Sequence, residues 1–198
     1  MSGPVPDRGR PGDDPEGPQL SRRGPRRRGP DGEVQVFGAD EQDEAAVEVD
    51  RWVRLAHEVI IAEGVEGEAE LSLLFVDQAA MAELNQRFME KSGPTDVLAF
   101  PIDETGPTGR WPDAGSTGPD RTEPDGDEAP LLLGDVVLCP AVAARQAPEH
   151  DSSVDDEMAL LVVHGVLHVL GYDHAEDDEA ARMKAREVEL LDRFHRQE

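Results

Sequence analysis

Cysteine, tyrosine and long apolar runs are nearly absent from this chain of 198 residues. Its one cysteine, Cys139, excludes an intramolecular disulfide and any zinc site built from several cysteines. No run approaches the roughly 20 apolar residues that a membrane-spanning helix needs. The N-terminus also lacks the apolar stretch of a secretory signal. We therefore expect a soluble cytoplasmic protein that does not insert into membranes.

Positive charge is also scarce. The chain has 19 Lys and Arg residues against 44 Asp and Glu residues, which gives a formal net charge of −25. A protein that binds nucleic acid through its overall charge neutralises phosphates with Lys and Arg. The composition therefore argues against that mode of binding, although it leaves room for a local basic cleft.

Two segments have compositions that do not favour a packed core. Residues 1–30 contain seven Arg and four acidic residues and few large apolar side chains, so we predict a disordered basic tail. Its Arg cluster at 21–28 either contacts RNA or is simply solvated. Residues 103–130 are rich in Pro, Gly and acids. A loop of this length is either functional or an expendable insertion. Its acidity favours a disordered insertion within one folded domain of residues 31–198.

Hydrophobic periodicity predicts the regular elements between these segments. The helix at 154–170 is apolar nearly all the way round, which is typical of a buried helix. The order β-α-β-α-β-β-α-α-α predicts an α+β domain whose small mixed sheet, of about four strands, is covered by helices. Strands are predicted at 34–37, 69–76, 96–100 and 131–138, and helices at 43–63, from 77, at 140–147, at 154–170 and from 177.

Three of the six histidines lie in one window of eleven residues, 164–174, which covers the end of the buried helix and the turn after it. His164 and His168 are four residues apart, so they project from the same helix face within reach of one metal ion. Gly171 is placed to end the helix in a left-handed conformation, which brings His174 back towards that ion. Three neutral imidazoles suit one Zn²⁺ and leave its fourth position open for water, as in catalytic sites.

The spacing of these histidines also matches the ligand positions of the metzincin proteases, H-E-x-x-H-x-x-G-x-x-H. Those enzymes need a glutamate directly after the first histidine as general base. Gly165 occupies that position and cannot accept a proton. The sequence therefore argues against a protease, and we expect Gly165 to serve close packing or substrate access.

Residues 164–174 resemble the signature H-G-x-L-H-L-x-G-Y-D-H of the YbeY family, whose members are bacterial rRNA maturation factors and metal-dependent single-strand endoribonucleases. Three further segments, at 84–85, 94–101 and 133–138, are similar to the family in the same order. The likeness covers roughly residues 34–195, except for 103–130, where the family usually has a much shorter link.

The resemblance implies a zinc-bound α+β fold in which His164, His168 and His174 are the metal ligands. It also implies cleavage of RNA in small-subunit rRNA 3′-end maturation and in ribosome quality control. The expected partners are small-subunit rRNA and the ribosomal small subunit or its proteins, and no DNA is expected.

Asp173 is a candidate because of its position in the sequence, and four further residues are what the resemblance implies at the cleft. Asp173, beside the third ligand, is a candidate for orienting that ligand or for proton transfer, and the alternative is a solvated carboxylate at a helix end. Four residues on strands that border the expected cleft contact substrate or serve turns and packing, and both roles remain open. These residues are Thr95, Asp96, Gly134 and Asp135.

One position departs from the family pattern. Many members have an arginine, thought to bind phosphate, where this chain has Met89. A thioether cannot replace a guanidinium that binds phosphate through two hydrogen bonds. Either Arg87 or Lys91 therefore takes over the phosphate, or RNA cleavage is weak.

Two other function classes stay open on the sequence. The protein is an assembly factor that zinc stabilises and that binds the small subunit without cutting RNA, or it hydrolyses a peptide or small amide at the same site. Under the first alternative, histidine-to-alanine variants lose folding stability and the purified protein shows no turnover. A peptide library tested beside RNA distinguishes the second.

Overall fold

The computed structural model describes residues 27–28, 34–102, 130–174 and 176–196. Within them the chain forms five strands, five α-helices and a short 3-10 helix, and from the second strand onward the elements follow the predicted order. The strands are β1 (Arg27–Arg28), β2 (Val34–Asp40), β3 (Ala69–Phe75), β4 (Val97–Pro101) and β5 (Leu131–Leu138). The helices are α1 (Val49–Ala62), α2 (Gln78–Met89), α3 (Pro140–Gln146), the 3-10 helix (Ala147–His150), α4 (Val154–Val169) and α5 (Asp177–Phe194).

The strands form one mixed sheet in the order β1-β2-β3-β5-β4. The three central strands are parallel, whereas β1 and β4 run antiparallel to their neighbours at the two edges. The predicted α+β class with a mixed sheet of four main strands is confirmed. The two-residue β1 adds an edge from the stretch predicted as a tail. Other residues of that tail, and 103–129 of the predicted insertion, lie outside the described residues, so both predictions stand as made.

The core lies on both faces of this sheet. Along β3, alternate side chains are fully buried and those between them are partly exposed, so one face of the sheet is buried more deeply than the other. Helices α1, α4 and α5 cover one face, where Ile60, Leu71 and Leu167 are fully buried. Helix α2 covers the other face through Met81 and Leu84. None of the described helices is both long and apolar enough to span a bilayer.

Helix α4 is buried nearly all round and carries the first two histidines. It begins at the N-cap Ser153, whose Oγ accepts a hydrogen bond from the Asp156 N–H at 3.0 Å. It ends as predicted, because Gly171 adopts a left-handed φ of 94° and its N–H donates to the His168 carbonyl at 3.0 Å. The turn therefore reverses the chain beside the helix face that carries His164 and His168.

One prediction needs correction, and one residue departs from helical periodicity. Helix α1 begins at Val49 and not at residue 43, because the Gln42 Oε1 accepts the N–H groups of Glu44 and Ala45 at 2.8 Å each and holds a turn there. On α2, Phe88 follows the periodicity of the apolar face, yet it is 50% exposed and meets Phe100 edge-on. Its ring contacts strand β4, and periodicity within α2 cannot indicate that contact.

Gly165 permits the close approach of α4 to the sheet. A Cβ at this position would lie 2.5 Å from the Cγ1 of Val136 and 3.2 Å from the Cγ2 of Val97. The first distance is shorter than real Cβ contacts allow, and Val136 is a fully buried side chain of β5. The packing role expected for Gly165 is confirmed, and it sets α4 directly against β4 and β5.

Candidate metal centre

The fold brings the three predicted histidines together. His164 and His168 lie one turn apart on α4, with ring centroids 4.5 Å apart. The ring of His174, in the turn after the helix, lies 5.0 Å from that of His168 and 5.9 Å from that of His164. One nitrogen from each ring falls within 4.8 Å of the other two. Two nitrogens bound to a tetrahedral zinc ion are about 3.3 Å apart, so small rotations of the rings suffice to bind one ion.

Hydrogen bonds fix the orientation of the two helical rings. The Nδ1 of His164 lies 2.7 Å from the Oε1 of Glu187 on α5, and the Nδ1 of His168 lies 2.9 Å from the carbonyl oxygen of Tyr172. A carbonyl oxygen only accepts, so the His168 Nδ1 carries the proton, and the carboxylate favours the same tautomer for His164. Metal-ligating histidines usually donate their second N–H in this way.

These tautomers make two nitrogen lone pairs face each other, and a cation between them would relieve the repulsion. The Nε2 atoms of His164 and His168 face each other at 3.1 Å. With both protons on Nδ1, each Nε2 presents a lone pair to the other, which is unfavourable unless a positive charge lies between them. A shared proton or a metal ion supplies that charge. The donor set is therefore consistent with a metal ion held by neutral imidazoles.

The surroundings of His168 oppose the shared proton. Burial is the main effect that lowers the pKa of His168 below its usual 6.5, and the neighbouring His164 lowers that pKa further. A lowered pKa keeps the ring neutral at neutral pH. Because a metal ligand must be deprotonated at its donor atom, this environment favours metal binding over protonation.

A polar network connects the centre to two more helices. The Tyr172 hydroxyl donates to the Oε2 of Glu63 at 2.7 Å, and the Nε of Arg186 donates to the Oε1 of Glu63 at 2.6 Å. Arg186 also donates to the carbonyl of Ala62 at 3.1 Å. Since the Tyr172 carbonyl orients His168, the network fixes one ligand against both α1 and α5.

The histidines open onto a cleft of about 580 Å³ between α4, the end of α2 and β4. Its wall on the α2 side contains Asn85, Met89 and Lys91. Both polar and apolar groups line the cleft, as is usual for ligand sites. The remaining lining residues are Thr95, Val97, Leu98, Ala99, Pro101, His164, Gly165, His168, Gly171, Tyr172, Asp173 and His174.

Comparison with known proteins identifies the family. The family model described as Endoribonuclease YbeY matches residues 38–195. The chain belongs to the endoribonuclease YbeY family.

Several relatives bear the same name, Endoribonuclease YbeY. The Mycolicibacterium vanbaalenii protein is 46% identical over 79% of this chain and 76% of its own. The Acidothermus cellulolyticus protein is 48% identical over 75% and 86%, and the Mycobacterium leprae protein is 45% identical over 81% and 82%. A solution structure from Thermotoga maritima aligns with 83% of this chain and 93% of its own at 20% identity, with a TM-score of 0.49.

Of the other candidate residues of the reaction, the structure places some in the cleft and one outside its lining. Lys91 and Asp173 line the cleft, whereas Arg87 is not among the lining residues and has its guanidinium 5.3 Å from the ring of Phe88. The Oδ1 of Asp173 accepts the backbone N–H of His174 at 2.7 Å. Met89, which stands where the resemblance leads us to expect an arginine, lines the cleft and is 44% exposed.

Of the four strand residues expected at the cleft, Thr95 lines it. Asp96 holds a local turn, since its Oδ1 accepts from the Thr95 hydroxyl at 2.9 Å and from the Val97 N–H at 2.8 Å. Gly134 has a packing role, because a Cβ there would lie 2.3 Å from the carbonyl oxygen of Phe100. Asp135 is half-buried on β5, opposite Phe100.

Glu187 and Glu63 are functional residues that sequence reasoning did not identify. Glu187 lies 23 residues beyond His164, on the half-exposed side of a charged helix, and many acidic residues of α5 share that pattern. Glu63 follows α1 and meets Tyr172 across 109 residues of chain. Only the packing of α1, α4 and α5 brings these carboxylates to the centre.

Proposed function

We propose that this protein is a zinc-dependent endoribonuclease that cleaves single-stranded RNA and acts in the 3′-end maturation of small-subunit rRNA and in ribosome quality control. The observation that carries the proposal is the pair of Nε2 atoms that face each other at 3.1 Å, with both Nδ1 atoms held by acceptors. Membership in the endoribonuclease YbeY family supports the reaction class. The rRNA substrate implies action in the cytoplasm.

We assign His164, His168 and His174 as the three ligands of one Zn²⁺ ion. Three imidazole nitrogens and an open fourth position are typical of catalytic zinc. When bound, zinc supplies a water of lowered pKa and polarises a phosphoryl oxygen. Glu187 and the Tyr172 carbonyl hold two of the rings in the orientation that this requires.

The remaining residues of the cleft bind and orient the RNA strand. Lys91 lines the cleft and supplies a positive charge for a phosphate. Arg87, on α2 and outside the lining of the cleft, adds positive charge at longer range. Asp173 orients His174 through its backbone N–H and also borders the cleft, where its carboxylate can accept a proton from water or substrate.

The net charge of −25 bears on how the substrate arrives. With few cations in the cleft, free RNA gains little from phosphate neutralisation. We therefore propose that the ribosomal small subunit or one of its proteins presents the rRNA segment, so that the contacts of a larger particle supplement the local cations. Purified protein then cleaves free RNA slowly but specifically.

The test is cleavage of a single-stranded RNA by wild type, His168→Ala and His195→Ala, each freed of contaminating nuclease by the same purification. The Nε2 of His195 lies 2.7 Å from the Oδ1 of Asp156, away from the cleft, so His195 serves as the matched histidine control. We expect wild type and His195→Ala to cleave and His168→Ala to lose at least about a hundredfold in rate. The same RNA annealed to its complement should resist cleavage.

Three results would count against the proposal. Equal cleavage by wild type and His168→Ala would show that the activity does not use the three-His centre. Loss of folding stability in His168→Ala, together with a wild type that never cleaves RNA, would favour the assembly factor. Cleavage of a peptide library in place of RNA would favour the amide hydrolase, although Gly165 leaves no general base beside His164 and no room for one.

A further inference from the structure

The outer edge of β4 borders the cleft without a role in metal binding. Strand β4 is the last strand of the sheet, so one of its edges pairs with β5 and the other faces away from the sheet. Val97, Ala99 and Pro101 of this strand line the same cleft as His164 and His168. In the part of the chain that the structure describes, no further strand pairs with this edge.

The register of the β4–β5 pair determines which backbone groups point into the cleft. The Asp96 carbonyl accepts from the Cys139 N–H at 2.8 Å, and the Ile102 N–H donates to the Leu133 carbonyl at 3.1 Å. In an antiparallel pair, residues alternate between those that bond to the partner strand and those that do not. The even-numbered residues of β4 therefore bond to β5, and the odd-numbered residues turn their N–H and C=O groups outward.

The structure describes all of β4, and the outward N–H groups of this strand are not all available for a new hydrogen bond. The Val97 N–H already donates to the Oδ1 of Asp96, and Pro101 has no N–H. Ala99 therefore supplies the one outward N–H that is available, beside its own carbonyl oxygen. The carbonyl oxygens of Val97 and Pro101 lie on either side of this donor.

This pattern is a poor match for a peptide strand. A peptide that extends the sheet needs N–H groups at alternate residues of the edge, and β4 offers only that of Ala99. A proline and a capped N–H are features with which proteins protect sheet edges against strand addition. One N–H beside one C=O instead matches the adjacent donor and acceptor on the Watson–Crick edge of an unpaired base.

The position of the edge beside the metal centre also favours RNA. The side chains of Val97 and Ala99 pack on the α4 side of the sheet. The missing side chain of Gly165, the residue after His164, allows α4 to approach Val97 closely. An RNA strand with a phosphate at the three histidines would therefore have neighbouring bases within reach of β4.

We propose that the Ala99 N–H and C=O bind the Watson–Crick edge of one unpaired base, next to the phosphate that is cleaved. The proposal rests on the proposed endoribonuclease function and identifies what would make it selective for single strands. In a duplex the Watson–Crick edge is already paired, so only an unpaired base could bond to Ala99. Ala99 is then a specificity-determining residue that acts through its backbone.

The test removes the Ala99 N–H and the base separately and together. The first variant is Ala99→Pro, which removes no bond of the β4–β5 ladder because this N–H faces outward. The second is the backbone ester that replaces the amide between Leu98 and Ala99, which keeps the side chain and avoids the fixed φ of proline. Each protein is titrated with a fluorescent single-stranded RNA and with a series that carries one abasic nucleotide at successive positions. Unfolding midpoints establish that the variants are folded.

We expect one abasic position to weaken binding to the wild type about three- to tenfold, the effect of one or two hydrogen bonds. The ester variant should bind the intact RNA more weakly by a similar factor, and the same abasic position should then cost nothing further. A folded ester variant that retains the full abasic effect would overturn the role of Ala99 while RNA cleavage stands. A wild type that neither binds nor cleaves RNA would overturn both proposals. An extended peptide that binds better than RNA, and loses affinity in the ester variant, would show that the edge takes a peptide.

Discussion

Single carboxylates and carbonyls determine what the three histidines can do. Their spacing puts the rings near one another, but two acceptors, the Glu187 carboxylate and the Tyr172 carbonyl, direct their lone pairs towards a common point. Neither acceptor touches the place where a metal ion would bind. The chemistry of the centre therefore depends on residues that spacing alone cannot identify.

Glu187→Ala should weaken metal binding about 10- to 100-fold, as is typical when the hydrogen-bond partner of a metal-ligating histidine is removed. The metal affinity of Glu187→Gln should fall between those of wild type and Glu187→Ala, because an amide oxygen still accepts from the His164 Nδ1. Competition with a chelating dye measures the affinity directly. Glu179→Ala, in the first turn of the same helix, is the control for the loss of one negative charge. Equal effects in both alanine variants would show that Glu187 acts only through the overall charge.

Met89→Arg should tighten binding of single-stranded RNA about three- to thirtyfold at low salt, because Met89 lines the cleft and a guanidinium can bind phosphate there. The slope of log affinity against log salt should steepen by about 1. Gln86→Arg adds the same charge to α2 at a position that does not line the cleft. If both variants gain equally, Met89 does not face the substrate path.

At the scale of elements, hydrogen bonds join the turn after α4 to helices α1 and α5. The residues that make them are Tyr172, Glu63 and Arg186. The Glu63 side chain is 6% exposed, so its charge is compensated by Arg186 and by the Tyr172 hydroxyl rather than by water. This arrangement fixes the turn that carries the third histidine. It predicts a spectroscopic signature, because Tyr172 is the only tyrosine in the chain.

Burial, followed by the hydrogen bond to Glu63, raises the pKa of Tyr172 to about 12 from its usual 10.0. Ultraviolet titration of the folded protein should therefore show tyrosinate forming near pH 12, and in the denaturant-unfolded protein near pH 10. Because the pKa is raised on folding, the contribution of this group to stability is complete below pH 10 and is lost between pH 10 and 12. Glu63→Gln should lower the folded midpoint. A midpoint near 10 in folded wild type would show that the network does not form.

Local signals in the sequence predicted the elements that local chemistry controls. The apolar pattern of α4, its capping residues and Gly171 were sufficient to place His164, His168 and His174 together. The start of α1 was wrong because a side chain, that of Gln42, holds the preceding turn. The edge position of β4 and the partners of the histidines depend on how distant elements pack, and no local pattern encodes that packing.

At the scale of the whole molecule, the core and the cleft lie within the described residues. The segment 103–129 separates β4 from β5, yet the two strands are already adjacent at its ends, since the Ile102 N–H donates to the Leu133 carbonyl. A hairpin of this kind normally needs a loop of two to five residues. The segment contains eight acidic and two basic residues, a net charge of −6.

Replacement of residues 103–129 by a short Gly/Ser loop should leave the unfolding midpoint and the metal affinity unchanged. Binding of single-stranded RNA should become faster, because six net negative charges are removed from the chain. Calorimetry, dye competition and stopped-flow fluorescence measure the three quantities. A variant that folds and binds metal but loses cleavage would show that the segment has a function of its own.

The central claim is that one metal ion at His164, His168 and His174 is required for cleavage of RNA. The most direct test adds Zn²⁺ in steps to chelator-stripped protein and follows bound metal and cleavage of a single-stranded RNA in the same samples. The account predicts that cleavage rises in proportion to bound metal and saturates at one ion per chain, and that His168→Ala shows neither. Full cleavage by the stripped protein, or saturation with one ion without cleavage, would contradict it.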